Sequence, residues 1–186
     1  MTNATWDERY KQDGDRIRQP AGFLVAQLHR LPRGRALDLA TGSGRNAIFL
    51  AREGYQVDAV DSSAVAVEKL SSLVKQESLS IAITCADLAD YHIAGNTYAL
   101  MLNFYFLERK LFSPIKKGLM QGGMLLFETY TVEQARYGRP HNPDYLLKAN
   151  ELVHSFSDLH IIYYHERLEH TEQETKAIAS LLAQKR

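Results

Sequence analysis

The sequence predicts an α/β fold built on a doubly wound, mostly parallel seven-stranded sheet that closes with an antiparallel C-terminal hairpin strand. Three observations carry this prediction. Short apolar runs alternate with helical repeats from residue 35 to residue 130. A glycine-rich turn joins the first run to the first of these helices. The last two extended runs, Leu159 to Leu168 and Thr175 to Ala183, are parted only by a polar turn, which makes them antiparallel partners. At 186 residues the chain suits one well-buried domain and is too short for two ordinary ones with linkers, so residues 1–186 are expected as a single domain.

Each element follows from local pattern. Pro20 to Leu31 has proline in a first turn and apolar residues at helical spacing, and Pro32 ends it. Arg35 to Ala40 is a strand, and Arg45 to Glu53 a helix stopped by Gly54, the usual residue of a left-handed cap. Gln56 to Val60 is the second strand; Ser62 or Ser63 then caps a helix to about Lys75, and Ile81 to Cys85 is the third strand. Tyr98 to Asn103, Lys110 to Met120 and Gly123 to Tyr130 continue as strand, helix and strand, the last introduced by a Gly122-Gly123 turn. Thr131 to Pro143, rich in Gly, Pro and charge, leaves the sheet, and a short helix at Glu151 to Phe156 returns the chain to the hairpin.

Composition narrows the partners. The 22 basic and 22 acidic residues cancel and form no basic run, which argues against nucleic acid or an anionic membrane and for a small molecule. One cysteine, Cys85, excludes an internal disulfide framework and a Cys-based zinc site, and no metal site is expected. Cys85 reads as a small buried residue. With no basic-then-apolar leader and no run of about 18 apolar residues, neither secretion nor membrane spanning is expected, and the cytoplasm is the predicted compartment.

The stretch Ala36-Leu37-Asp38-Leu39-Ala40-Thr41-Gly42-Ser43-Gly44-Arg45-Asn46-Ala47 carries the chemistry. At Gly42 and Gly44 a Cβ would collide with a ligand drawn against the backbone, and the amides opening the next helix point outward as donors. A glycine pair alone serves equally as a tight turn with no ligand. Asp38 is the distinguishing detail, because a carboxylate there suits a cationic ligand better than a pyrophosphate. S-adenosylmethionine (SAM), with its ammonium and sulfonium, fits better than NAD.

In a doubly wound sheet the ligand lies across the carboxyl ends of the strands. Asp61 closes the second strand 19 residues beyond Gly42, where an acid reaches the ribose diol of a nucleotide, although it also suits a helix cap. Asp87 ends the third strand, placed to receive an adenine amino group while Leu88 lies against the ring. Asn103-Phe104-Tyr105 ends the fourth strand at the switch point, where aromatic residues wall a sulfonium or simply pack in the core.

This combination resembles the class I SAM-dependent methyltransferases, above all the small bacterial group that includes the tellurite-resistance and thiol methyltransferases. The likeness covers nearly the whole chain: Trp6-Asp-Glu-Arg-Tyr10, the turn through Gly-Arg-Asn46, Gly54-Tyr-Gln-Val-Asp-Ala-Val-Asp61, and the terminal strand pair. It implies a Rossmann-like fold and methyl transfer from SAM, leaving S-adenosylhomocysteine, to a small-molecule nucleophile such as a thiol or metalloid oxyanion. By that likeness Gly42 and Gly44 approach the methionine moiety, Asp61 the ribose, and Asp87 with Leu88 the adenine. The expected cofactor-binding set further includes Asp38, Ala40, Thr41, Arg45, Asn46, Ser62 and Asn103. Ala40 stands where the family most often has glycine, adding a methyl group near the methionine tail.

The acceptor side is less constrained. Trp6 and Tyr10 share one helix face and, with Arg9, form either a lid over the donor or an amphipathic helix on the sheet edge, within an N-terminal cap spanning residues 1–33. Residues 131–157 are an acceptor-side insertion in which Arg136 and Arg139 would hold an anionic acceptor, unless it is a solvated loop. His160 and His165, five apart on a strand, face opposite sides. Tyr10, Tyr105, Arg139 and His165 are the catalytic candidates. A thiolate or oxyanion needs no general base, whereas a hydroxyl acceptor would. Two other readings stay open: an NAD-dependent oxidoreductase, with Ala47 at the last glycine position, and a non-catalytic SAM-binding protein. Either a monomer or a homodimer is compatible with the sequence.

Overall fold

The structure, a computed structural model, describes residues 3–12, 19–171 and 174–186. The chain divides into two compact units, Met1–His92 and Ile93–Arg186. The fold is a seven-stranded mixed sheet, mostly parallel with antiparallel C-terminal strands, as the alternating pattern predicts.

The first unit holds α1 (Asn3–Gln12), α2 (Gly22–Gln27), β1 (Arg35–Leu39), α3 (Arg45–Arg52), β2 (Gln56–Asp61), α4 (Ala64–Glu77) and β3 (Ile81–Cys85). β1 and β2 pair in parallel with Asp38 opposite Ala59, and β2 and β3 pair in parallel with Asp61 opposite Cys85. Parallel strands covered on both sides read as continuous apolar runs, and Leu37, Leu39, Ala59 and Val60 are fully buried. α3 stops where Gly54 takes φ +85°, with its amide on the Ala51 carbonyl at 3.0 Å. Ser63, rather than Ser62, caps α4 by accepting the Ala66 amide at 3.2 Å.

Two expectations here are corrected. The helix predicted from Pro20 starts at Gly22, because the Ala21 amide donates to Asn46 Oδ1 at 2.9 Å and Ala21 stays extended at ψ 130°; its last turn, Leu28–Arg30, is 3-10. Cys85 is exposed, since β3 is an edge strand whose C-terminal half faces outward. Met1, Thr2 and residues 13–18 of the predicted N-terminal cap lie outside the described residues.

The second unit holds β4 (Tyr98–Phe104), α5 (Phe112–Gly118), β5 (Leu119–Tyr130), α6 (Glu151–Ser155), β6 (His160–His170) and β7 (Thr175–Gln184). β4 and β5 are parallel, β5 and β7 antiparallel, and β7 and β6 antiparallel. All seven residues of β4 are buried. Phe112, Phe127 and Phe156 form a ring cluster with centroids 5.1 to 5.9 Å apart, joining α5, β5 and the chain just after α6.

The helix predicted over Lys110 to Met120 is shorter, a 3-10 turn at Arg109–Leu111 followed by α5. β5 starts at Leu119, four residues before the predicted start. Gly122 (φ +80°) and Gly123 therefore lie inside a strand irregularity, not in a turn before it, and the register with β4 shifts between Tyr98 and Leu100. A Cβ at Gly123 would stand 2.7 Å from the Tyr98 carbonyl oxygen, so the close approach demands glycine. The 131–147 excursion is pinned at its ends by a Thr131–Leu147 bridge and contains 3-10 turns at Val132–Arg136 and Pro143–Tyr145. Among the described residues no helix is long and apolar enough to cross a membrane.

Candidate functional site

In the first unit the end of β1 turns sharply into α3. Ala40 (φ +53°), Gly42 (φ +59°) and Gly44 (φ +84°) all take left-handed backbone. Glycine is the natural occupant of such positions, and Ala40 takes one despite its Cβ. The turn is pinned from β2: the Thr41 amide donates to the Val60 carbonyl at 3.0 Å and the Gly42 amide to Asp61 Oδ2 at 2.7 Å. The two glycines make room for different neighbours. A Cβ on Gly42 would meet the Tyr10 hydroxyl at 2.5 Å, whereas one on Gly44 would run into Leu70 of α4. At Gly44 the left-handed backbone and the packing of Leu70 both favour glycine, independently of any ligand.

Asp38 is 1% exposed and accepts the Thr41 hydroxyl at 2.6 Å. Burial pushes its carboxyl up to about 7, opposed by the Thr41 bond, the charge of Arg45 and the Ala47 amide, and reinforced by Asp61. Such a carboxylate is poorly compensated by its protein neighbours, which fits a ligand bearing positive charge. Asp61 is also buried; one oxygen serves Gly42 and the other accepts the Ser63 amide at 2.9 Å. Burial raises its pKa against these hydrogen bonds. Asp61 therefore ties the turn together as well as standing at the strand end. Asn46 is spent on Ala21, and Ser62 is half-buried beside the α4 cap. Asp87 is exposed and accepts the Ala89 amide at 2.9 Å, with Leu88 buried beside it.

The second unit carries the other candidates. Asn103 is buried, its amide donating to the Phe106 carbonyl at 2.7 Å. Tyr105 takes φ +57°, a conformation costly for an aromatic residue, and is held there twice by Glu128. Its amide donates to the Glu128 carbonyl at 2.8 Å and its hydroxyl to Glu128 Oε1 at 3.2 Å. Its ring lies 5.2 Å from that of Tyr130, with the Lys176 ammonium 5.6 Å away over its face. Glu128 itself is 2% exposed and accepts the Ser180 hydroxyl at 2.5 Å and the Arg167 guanidinium at 3.3 Å. The sequence reading passed over Glu128, Arg167 and Ser180; the available signal was a lone carboxylate directly after the apolar run Met124 to Phe127 of a strand. Arg139 is exposed in the excursion, and His165 is exposed on β6 with Nδ1 3.4 Å from the Tyr163 hydroxyl. Among the described residues no group of three or more His, Cys, Asp or Glu is placed to hold a metal ion.

Known proteins share this architecture. The crystal structure of TehB from Haemophilus influenzae superposes with a TM-score of 0.81 at 20% identity, over 97% of this chain and 67% of that one. Geranyl diphosphate C-methyltransferase from Streptomyces coelicolor A3(2), solved with Mg2+, geranyl diphosphate and S-adenosyl-L-homocysteine, gives 0.69 at 14% identity, over 88% of this chain and 77% of that one. At these identities the likeness shows the fold. In sequence, the "Probable S-adenosyl-L-methionine-dependent methyltransferase TehB" of Haemophilus influenzae (strain 10810) is 25% identical over 142 residues, 72% of this chain and 49% of that protein. The chain spans about half the length of the curated relatives it matches. The family model described as tellurite resistance protein TehB matches residues 7–179, from α1 into β7, and on that match the chain belongs to the TehB family.

Proposed function

We propose that this chain is a SAM-dependent methyltransferase acting on a small-molecule nucleophile, a thiol or a metalloid oxyanion, and that residues 1–186 work as one methyltransferase domain. Membership of the TehB family supports the reaction class. The observation that carries the cofactor is the buried Asp38 carboxylate under a turn with three left-handed residues, because it suits a cationic nucleoside and disfavours a pyrophosphate.

When bound, SAM supplies a methyl group activated by its sulfonium. In this reading Asp38, Ala40, Thr41, Gly42, Gly44 and Arg45 hold its methionine end. Asp61 and Ser62 take the ribose, and Asp87 with Leu88 the adenine. Asn46 and Asn103 support the set, since their side-chain amides are bonded to Ala21 and Phe106. On the acceptor side, Tyr105 is kept in one orientation by Glu128, Arg139 offers an exposed guanidinium to an anion, and His165 is an exposed acid/base candidate. Residues 131–157 form the acceptor-side insertion and residues 1–33 the N-terminal cap. Desolvation and alignment supply the acceleration, with effective molarities equivalent to about 7 to 11 kcal/mol. Thiolates and oxyanions are nucleophilic without a general base. A reducing cytoplasm suits an exposed, unpaired Cys85.

The test is transfer of label from methyl-labelled SAM to a panel of thiols, selenite, tellurite and phenols. Labelled thiol or metalloid product is expected. Label on phenols alone would overturn the acceptor assignment, and no label on any acceptor would point to a non-catalytic SAM-binding protein.

A further inference from the structure

Among the described residues, polar tethers from α4 hold α1 at two places. Trp6, Asp7 and Tyr10 are its half-buried side chains, while Glu8, Arg9, Lys11 and Gln12 are exposed. A surface helix of this kind is held in place by its tethers to the body of the protein. α4 supplies that fixing. At its N-terminus the Ser63 hydroxyl donates to Asp7 Oδ1 at 2.6 Å, and the Val65 amide donates to the same oxygen at 3.3 Å. Farther along α4, Lys69 Nζ donates to the Tyr10 carbonyl at 2.6 Å, satisfying an end carbonyl of α1. Ser63 and Lys69 lie six residues apart on α4, about 9 Å along the axis, and their partners on α1 are three residues apart. Two anchors so spaced set the rotation of α1 as well as its position. That rotation brings the Tyr10 hydroxyl against Gly42, within 2.5 Å of where a Cβ would stand. Trp6 packs 6.3 Å from Tyr10 on the same face, with the Arg9 guanidinium 5.4 Å from the Trp6 ring centre.

We propose, resting on the SAM reading above, that Asp7 and Lys69 are positioning residues that hold α1 as a clasp over the glycine turn, so that the Tyr10 hydroxyl meets the methionine end of the bound donor. Gly42 serves both partners: its amide goes to Asp61 and its bare Cα face receives Tyr10. The donor enters when the clasp opens, and the tethers govern how slowly it leaves.

Trp6 is the chain's single tryptophan, so its fluorescence reports α1 directly. Asp7→Ala and Lys69→Met are each expected to shift Trp6 emission in the ligand-free protein. Each is also expected to raise the Kd for S-adenosylhomocysteine about fivefold, the size of one net hydrogen bond, through a faster off-rate. Asp7→Asn keeps an acceptor for Ser63 and Val65 and is expected to recover most of that affinity. Tyr10→Phe weakens binding too, and adding Asp7→Ala to it has little further effect because both act through one hydroxyl. Tether variants that bind like the parent, or losses that simply add, overturn the clasp alone. Absence of S-adenosylhomocysteine binding by the parent protein overturns the SAM reading and the clasp with it.

Discussion

The amide of Gly42 donates to Oδ2 of Asp61 at 2.7 Å, so the end of β2 fixes the turn that leaves β1. Asp61→Ala removes this bond and the one to the Ser63 amide together. SAM affinity is expected to fall by about 1.5 to 3 kcal/mol, the range for hydrogen bonds to a charged group. Calorimetric titration of a folded variant checks this, and unchanged affinity would remove Asp61 from the site.

If Asp38 faces the donor as proposed, donor binding is expected to depend on pH. Burial lifts its carboxyl from 3.8 to about 7, so its ionised form costs folding stability, and that cost grows as pH rises from the ordinary value to about 7. A cationic ligand needs the ionised form. Its affinity is therefore expected to rise about tenfold between pH 6 and pH 8, and Asp38→Asn to flatten the profile. Titrations of SAM at the two pH values measure the slope.

Ala40 sits at φ +53°, where an L side chain is strained. Ala40→Gly removes a penalty of about 1 to 2 kcal/mol but adds unfolded-state freedom worth about 0.5 to 1 kcal/mol. A net gain of about 0.5 to 1 kcal/mol is expected, visible as a higher urea midpoint with unchanged slope.

Glu128→Ala leaves the Arg167 guanidinium, 25% exposed, without its buried partner and strips a bond from Ser180 and Tyr105. A loss of about 3 kcal/mol in urea unfolding is expected. Glu128→Gln, whose single carbonyl oxygen can still accept one of the two hydroxyls, should lose less. Equal losses would show that charge alone, not the hydroxyl network, sets the stability.

Arg139→Ala is expected to raise the acceptor KM while leaving S-adenosylhomocysteine affinity unchanged. Arg139 is exposed in the excursion. Steady-state kinetics with the labelled acceptor, run beside calorimetry, separate the two. The opposite pattern would move the 131–157 segment out of the acceptor site.

Strand and helix order was legible because it depends on local periodicity and on punctuation such as Gly54 and Ser63. Boundaries failed where a distant group intervened. Ala21 is drawn out of its helix by Asn46, 25 residues away, and β5 begins early because the crowded Gly123 lies inside the pairing. The turn from Asp38 to Gly44 was legible as a sharp glycine turn between strand and helix, yet the reason for each glycine was not. Leu70 and Tyr10, which press on Gly44 and Gly42, come from helices that no local pattern places. The α1 tethers join residues 56 and 59 apart, a relation visible only once the chain has folded.

The turn built from Asp38, Gly42 and Asp61 is proposed to take SAM. Titration of the purified chain with SAM, S-adenosylhomocysteine and NAD measures this directly. Saturable binding of SAM and S-adenosylhomocysteine, with none of NAD, is the predicted result, and binding of NAD alone would contradict it.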